Sequence, residues 1–156
     1  MTWNVQHLSQ SIDATPAEVA AVAGDPAHLP RWAAGLSAGI RWEPTAPGGG
    51  GEAVAGPPDG SGGGGRWVAE SPMGVVEVRF TGAVDEGILD HDVVLPDGSV
   101  THNPLRILPN DGGSEVVFTL FQLPGTSDEA FAADARLVQA DLARLAALFA
   151  PPSAAP

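Results

Sequence analysis

Three residue types that often carry chemistry are missing from this chain, which contains no cysteine, no lysine and no tyrosine. Without cysteine there is no disulfide framework, no thiolate nucleophile and no cysteine-ligated metal site. Without lysine the chain cannot form a Schiff base or complete the P-loop that binds nucleotide phosphates. The seven cationic side chains are therefore all arginines. These absences exclude several common classes of nucleophile and cofactor site.

Positive charge is also scarce, and the formal net charge of the 156-residue chain is −12 at pH 7. A field of this sign repels nucleic acid phosphates and anionic lipid headgroups, so we expect neither as a partner. No apolar run approaches the ~20 residues that span a bilayer. The first residues also lack the basic segment and apolar run of a signal peptide. We therefore expect a cytoplasmic protein without membrane insertion.

What the chain does contain is enough for one globular domain, since 44% of its residues are hydrophobic and its length suits a single core. We expect residues 1–150 to form this domain and residues 151–156 to be a disordered tail. Between Pro44 and Gly65 the sequence is dense in glycine and proline and offers few side chains that can pack. This stretch is predicted to be a mobile loop.

A strand and two short helices are predicted at the start of the domain. Trp3 to Ile12 can form the strand, and Thr15 with Glu18 then matches the capping box that begins a helix. Asp25 begins a second element, which Pro30 keeps short or irregular. Its apolar side chains recur at helix-like spacing and are Leu29, Trp32 and Leu36.

Hairpins and one long helix are predicted for the rest of the chain. From Arg66 to Leu123 short strands alternate with turns, which indicates an antiparallel meander. Asp85 to Gly87 is one of the expected turns, and the expected strands are Arg66–Glu70, Val75–Val84, Ile88–Leu95, Val100–Leu108 and Glu115–Leu123. Between Thr126 and Ala150 the period changes, because apolar side chains recur every three or four residues along one stripe. The members of this stripe are Phe131, Val138, Leu142, Leu145 and Phe149.

This order of elements resembles the SRPBCC superfamily, also called the START or Bet v 1-like group, which includes polyketide cyclases. The resemblance is carried by Ile12 to Val19, by Asp25 to Trp32 and by Asp134 to Leu142. It implies an α+β helix-grip fold, in which a curved antiparallel sheet wraps around the long C-terminal helix. Superfamily members include cyclases, lipid and hormone carriers, and co-chaperones. Because the strands carry no tyrosine, cyclase mechanisms that use a tyrosine hydroxyl do not transfer to this chain.

The turn chemistry predicts which strand residues face the space between sheet and helix. If Pro96 to Gly98 is a three-residue loop, His91 lies opposite Asn103 and both point inward. A two-residue Asp-Gly turn would slip the register and turn His102 and Arg106 inward instead. The first register is preferred because it buries two more apolar side chains, Leu105 and Ile107.

His91 and Asn103 are the candidate catalytic residues in this register. A neutral imidazole can accept or donate a proton, and Asn103 could orient it or a substrate carbonyl. The alternative is a buried histidine that is hydrogen-bonded only for structural reasons. The expected ligand-binding walls are apolar, and they are Trp67, Val78, Phe80, Leu89, Leu105, Phe118, Leu120 and Val138.

Four aspartates are further candidates for the site. Asp90 and Asp92 flank His91 but share the opposite strand face, so a metal cluster is not expected and a solvated face is. Asp134 and Asp141 border the helix stripe, from which either could reach His91, Arg106 or a Trp indole. No metal site and no cofactor are predicted.

The preferred function is the binding of a small hydrophobic or aromatic metabolite by a carrier or sensor. The chain offers no nucleophile, metal triad or paired inner-face carboxylates, which disfavours catalysis. The alternatives are a polyketide cyclase or dehydratase that uses His91 as acid or base, and a co-chaperone-like interaction module. The sequence does not specify the ligand or the oligomeric state.

Overall fold

A computed structural model describes residues 1–44 and 65–151. Within them the chain forms eight strands and two α-helices, with three short 3-10 helices between them. The 3-10 helices span Pro26–Arg31, Ala34–Leu36 and Val84–Glu86. The strands and α-helices are β1 (Val5–Ile12), α1 (Pro16–Ala23), β2 (Ile40–Pro44), β3 (Gly65–Ser71), β4 (Gly74–Phe80), β5 (His91–Val94), β6 (Val100–Asn103), β7 (Leu105–Asn110), β8 (Gly113–Phe121) and α2 (Asp128–Ala147).

The two elements after β1 begin at the caps that the sequence predicts. Thr15 accepts a hydrogen bond from the Glu18 amide, and the Glu18 carboxylate accepts one from the Thr15 amide at 2.8 Å, which completes the capping box. The Asp25 carboxylate caps the next element by accepting from the Ala27 amide at 2.9 Å. That element is a 3-10 helix, consistent with the interruption that Pro30 imposes.

The strands form two antiparallel sheets with the orders β2-β3-β4-β5-β6 and β1-β8-β7. His91 pairs with Asn103 between β5 and β6, so the register with a three-residue loop at Pro96 to Gly98 is confirmed. Gly98 in that loop has φ of +84°, a backbone conformation that suits glycine. The two sheets are linked by a bridge between Ile88 and Arg106. Together they make the curved surface that the helix-grip fold requires.

Two predicted strands are shorter in the structure. The strand expected from Val100 to Leu108 is divided at Pro104, because proline has no N–H to donate to the ladder. The tight turn expected at Asp85 is instead a 3-10 helix, so the preceding strand ends at Phe80. Gly82 lies close against the chain here, since a Cβ at this position would come within 2.2 Å of the Ile88 carbonyl oxygen.

The predicted loop is bounded differently at both ends. Pro44 and Gly65 are not loop residues, because they form the last pair of the β2–β3 ladder. Gly65 is required there because a Cβ would lie 2.5 Å from the ring of Trp42. The remaining loop residues, 45–64, and residues 152–156 of the predicted tail lie outside the described residues.

Helix α2 packs across the concave side of the sheets. Its N-terminus is capped by Ser127, whose hydroxyl accepts from the Ala130 amide at 3.2 Å. The helix is shorter than the predicted span and ends at Ala147. Gln139 reaches β1, where its side-chain amide donates to the Ser9 carbonyl oxygen at 3.1 Å. The core between helix and sheets includes Leu8, Val19, Val78, Leu89, Leu105, Val116, Leu142 and Leu145.

Neither helix of the described residues has the length and hydropathy that crossing a membrane would require.

Candidate functional site

A cavity of about 80 Å³ lies where the sheets meet helix α2 and the first two 3-10 helices, and it is partly open to solvent. These two helices, Pro26–Arg31 and Ala34–Leu36, are called the 3-10 segments below. Its lining is apolar except for two side chains, His91 and Asp141. A mostly apolar pocket with few polar groups is the usual character of a small-molecule site. The lining residues are Leu29, Trp32, Ala33, Leu36, Val78, His91, Val93, Phe118, Val138, Asp141 and Leu142.

Each wall of the cavity follows from the period of its element. On the sheet, Val78 pairs with Val93, and His91 is two residues before Val93 on the same face. On α2, Val138, Asp141 and Leu142 are three and four residues apart, which places them on one side of the helix. The third wall comes from the two 3-10 segments. The sequence predicts the helix-like spacing of their apolar residues but does not place these residues at the cavity.

His91 is the polar group on the sheet wall, and its hydrogen bonding is one-sided. Its Nδ1 lies 3.0 Å from the Leu89 carbonyl oxygen, which can only accept, so Nδ1 carries the hydrogen. Among the described residues no side chain or backbone group is hydrogen-bonded to Nε2. The ring also lies 5.4 Å from that of Phe80, its partner across the β4–β5 ladder.

The protonation of His91 is governed by its burial. Burial disfavours the imidazolium and lowers the pKa of His91 from its ordinary value of 6.5. The hydrogen bond to Leu89 acts in the opposite direction but is the smaller effect. The imidazole is therefore neutral at pH 7, with the hydrogen on Nδ1 and an acceptor lone pair on Nε2.

Asp141 is the polar group on the helix wall, and it joins α2 to the 3-10 segments. Its carboxylate accepts from the Ala34 amide at 3.1 Å and forms an ion pair with Arg144 one turn along the helix. Arg144 in turn donates from Nε to the Trp32 carbonyl oxygen at 3.1 Å. These contacts, from here on called the α2 latch, hold the third wall of the cavity in place. They also occupy Asp141, which has no hydrogen bond to His91.

Trp32 adds an aromatic surface to the same cavity. Its side chain is buried, with 6% of its surface exposed, and its indole Nε1 has no hydrogen-bond partner among the described residues. An unpaired buried donor costs roughly 1–3 kcal/mol. The ring is therefore held in position by apolar packing and not by a polar anchor.

The predicted catalytic pair is not hydrogen-bonded, although its two members lie opposite each other in the sheet. The Asn103 side-chain amide donates instead to the Thr101 carbonyl oxygen at 3.4 Å, and Asn103 does not line the cavity. The two residues of the alternative register lie on the other sheet face. There His102 bonds to Asp92 at 2.6 Å and Arg106 pairs with Asp90.

The predicted ligand-binding walls are divided between the cavity and the surrounding core. Val78, Phe118 and Val138 line the cavity. Leu89 and Leu105 are buried in the core beyond its lining, and the half-buried Phe80 and Leu120 pack against that core. Trp67 is also buried outside the lining, and its ring meets Trp42 edge-on at 5.5 Å. The apolar and aromatic lining residues that are absent from the predicted set of eight walls are Leu29, Trp32, Ala33, Leu36, Val93 and Leu142.

The remaining carboxylates do not assemble a metal centre. Asp90 forms an ion pair with Arg106 and Asp92 is hydrogen-bonded to His102, so these two carboxylates are engaged by protein side chains. Asp134 is exposed on α2. In the described part of the chain, no three His, Asp or Glu side chains are grouped so that they could hold a metal ion.

Comparison with known proteins identifies a family and several similar folds. Residues 6–150 match the sequence model of the family described as polyketide cyclase / dehydrase and lipid transport. No curated protein matches the chain. An uncharacterised protein from Bacillus thuringiensis is similar in structure, with 17% identity over 94% of this chain and 98% of that one, at a TM-score of 0.64.

Two further solved structures are similar to this chain in fold. DynU16, from the dynemicin biosynthetic locus, is 12% identical over 92% of this chain and 46% of its own, with a TM-score of 0.62. The protein Ara h 8.0201 is 15% identical over 94% of this chain and 97% of its own, with a TM-score of 0.59. At these identities the similarity establishes the fold alone.

Proposed function

Because the chain belongs to the polyketide cyclase / dehydrase and lipid transport family, we propose that it binds a small hydrophobic or aromatic molecule in the cavity between the sheets, α2 and the 3-10 segments. The observation that carries this proposal is the lining, which is apolar apart from His91 and Asp141. Burial of apolar ligand surface is worth about 25 cal/mol per Å². Such a lining therefore favours a ligand that is itself mostly apolar.

The size of the cavity limits what can enter without movement. Its volume of about 80 Å³ is smaller than the roughly 150 Å³ of an engineered protein cavity that binds benzene. A ligand of one ring or more must therefore displace a wall. The 3-10 wall is the best candidate at Ala33 and Leu36, which are only partly buried, because the α2 latch joins this part to the helix through only a few hydrogen bonds. Sheet and helix, in contrast, are held by continuous ladders and core packing.

Titration of the full chain with toluene tests the binding proposal. The measurement is the indole N–H signal of Trp32 in ¹H–¹⁵N spectra, because this ring lines the cavity. Trp3, which is 53% exposed and does not line the cavity, serves as the internal control. Saturable movement of the Trp32 signal with a stationary Trp3 signal is expected. An unchanged Trp32 signal with toluene and with every compound of a wider aromatic panel contradicts the proposal.

A second candidate function is cyclase or dehydratase chemistry with His91 as acid or base and Asn103 as an orienting donor. One observation favours it: the neutral His91 borders the cavity with a lone pair on Nε2 that no described group uses. For such an enzyme, His91→Gln should lower turnover of a polyketide-like substrate by about 10²–10⁴-fold. Its ligand affinity should change by only a few-fold. Equal turnover in parent and variant would remove this candidate.

A further inference from the structure

The two polar groups of the cavity differ in what they can offer to a ligand. His91 uses its single hydrogen, on Nδ1, to bond to the Leu89 carbonyl oxygen at 3.0 Å. Its Nε2 is consequently an acceptor and not a donor. The Asp141 carboxylate is also an acceptor, although the Ala34 amide and Arg144 already donate to it. The sheet and helix walls therefore present acceptors and no hydrogen-bond donor. The third wall carries one unpaired donor, the Trp32 indole Nε1, but this atom is buried.

An anionic ligand has no counter-ion in the same space. No arginine is among the described residues that line the cavity. The cation next to it, Arg144, is engaged by Asp141 and by the Trp32 carbonyl oxygen. A carboxylate entering the cavity would lose its hydration without an ion-pair partner, and burial of an unpaired charge is strongly unfavourable. The chain's net charge of −12 acts in the same direction.

We infer that the cavity binds uncharged ligands with a hydroxyl or N–H donor on an apolar ring, of the phenol type, in preference to carboxylates. The donor hydrogen is given to Nε2 of His91, and the ring lies among apolar side chains that include Trp32 and Phe118. This inference rests on the proposed function, because it specifies the ligand of the same cavity. It makes His91 a specificity-determining residue whether or not the protein is an enzyme.

Four one-ring compounds test the inference on the full chain: phenol, toluene, anisole and benzoate. Phenol and toluene differ by a hydroxyl in place of a methyl, anisole keeps the oxygen without its hydrogen, and benzoate carries the charge. With the Trp32 indole signal as readout near neutral pH, phenol should bind about three- to tenfold more tightly than toluene or anisole, as expected for one neutral hydrogen bond. Benzoate should give no saturable shift.

Two variants connect the preference to His91. His91→Leu should bind phenol and toluene with equal affinity, because the acceptor is lost while the apolar lining is kept. His102→Leu is the matched control, since it removes an exposed imidazole from the opposite face of the same sheet. It should keep the phenol preference. If His91→Leu does not fold, the same comparison is made with His91→Phe, and the four-compound series on the parent remains decisive.

The outcomes separate this inference from the proposed function. Equal binding of phenol and toluene to the parent, or benzoate binding as tightly as phenol, overturns the ligand class but leaves cavity binding intact. Retention of the phenol preference in His91→Leu overturns the role of His91. Failure of all four compounds and of the wider panel to move the Trp32 signal overturns the proposed function itself.

Discussion

His91 and Asp141 line the same cavity without sharing a hydrogen bond. The imidazole donates to the Leu89 carbonyl oxygen, whereas the carboxylate accepts from the Ala34 amide and pairs with Arg144. In a catalytic His–Asp pair the carboxylate orients the imidazole and stabilises its charged form. Here a backbone carbonyl orients His91, and the carboxylate stabilises the cavity wall. This arrangement favours a neutral binding site over an acid–base relay.

The burial of His91 predicts a pH dependence of stability. Its folded-state pKa lies below the unfolded value of 6.5, so the unfolded chain binds more protons in the interval between the two. The free energy of unfolding therefore rises with pH across this interval, and stability is lost as the pH falls below 6.5. Urea unfolding between about pH 7.5 and about pH 5 should show a larger loss in the parent than in His91→Leu.

Carboxylates provide the internal reference for that measurement. The hydrogen bonds of Thr15 to Glu18 and of Ser11 to Glu115 lower the pKa values of these exposed carboxyls below 4.5. Any stability that these two carboxylates contribute is fully present above pH 4.5 and is lost only at lower pH. Identical curves for parent and His91→Leu above pH 5 would show that His91 does not cause the predicted loss.

The α2 latch should control the mobility of the third cavity wall. Asp141→Ala removes the acceptor of the Ala34 amide, so this amide should exchange its hydrogen faster and the free energy of unfolding should fall by about 1–2 kcal/mol. Amide hydrogen exchange at Ala34 is the measurement. Asp134→Ala, an exposed position two turns earlier on α2, is the control and should leave both quantities unchanged. Equal exchange at Ala34 in the two variants would exclude a latch role for Asp141.

Two identical substitutions distinguish the cavity from the packed core. Ala33 lines the cavity, whereas Ala69 is fully buried in β3 and does not line it. Ala33→Leu should fill the cavity and abolish toluene binding with little change in stability. Ala69→Leu should cost about 1–3 kcal/mol, as overpacking does in a dense core. Thermal unfolding and the Trp32 titration measure the two effects, and the reverse pattern would show that the cavity is misassigned.

Asn103 should contribute little to ligand affinity. Its side-chain amide bonds to the Thr101 carbonyl oxygen, and the residue does not line the cavity. Asn103→Ala is therefore expected to change the affinity for phenol by less than about twofold, well under the value of one neutral hydrogen bond. The matched change His91→Ala should remove the preference for phenol. A large loss of phenol affinity in Asn103→Ala would show that Asn103 takes part in ligand binding.

The sequence by itself determined the order of the elements, their caps and the strand register. The capping box at Thr15 and Glu18 is a local signal whose hydrogen bonds span only three residues. The register of His91 opposite Asn103 follows from the loop at Pro96 to Gly98 and from the alternation of apolar side chains. Both depend on interactions between near neighbours in the chain, which is why they could be predicted without tertiary contacts.

Only the tertiary structure decided which inward-facing residues border the cavity. The alternation of side chains along the strands predicts that Leu89 and Val78 both face inward. In the structure, however, Leu89 is buried in the core and Val78 lines the cavity. The difference depends on where α2 and the 3-10 segments stop packing against the sheets. Asp141 shows the same dependence, because its partner Ala34 is 107 residues away along the chain. Whether an inward-facing residue is buried in the core or borders the cavity depends on the packing of elements that are far apart in the sequence. The local periodicity of a strand or helix does not predict this packing.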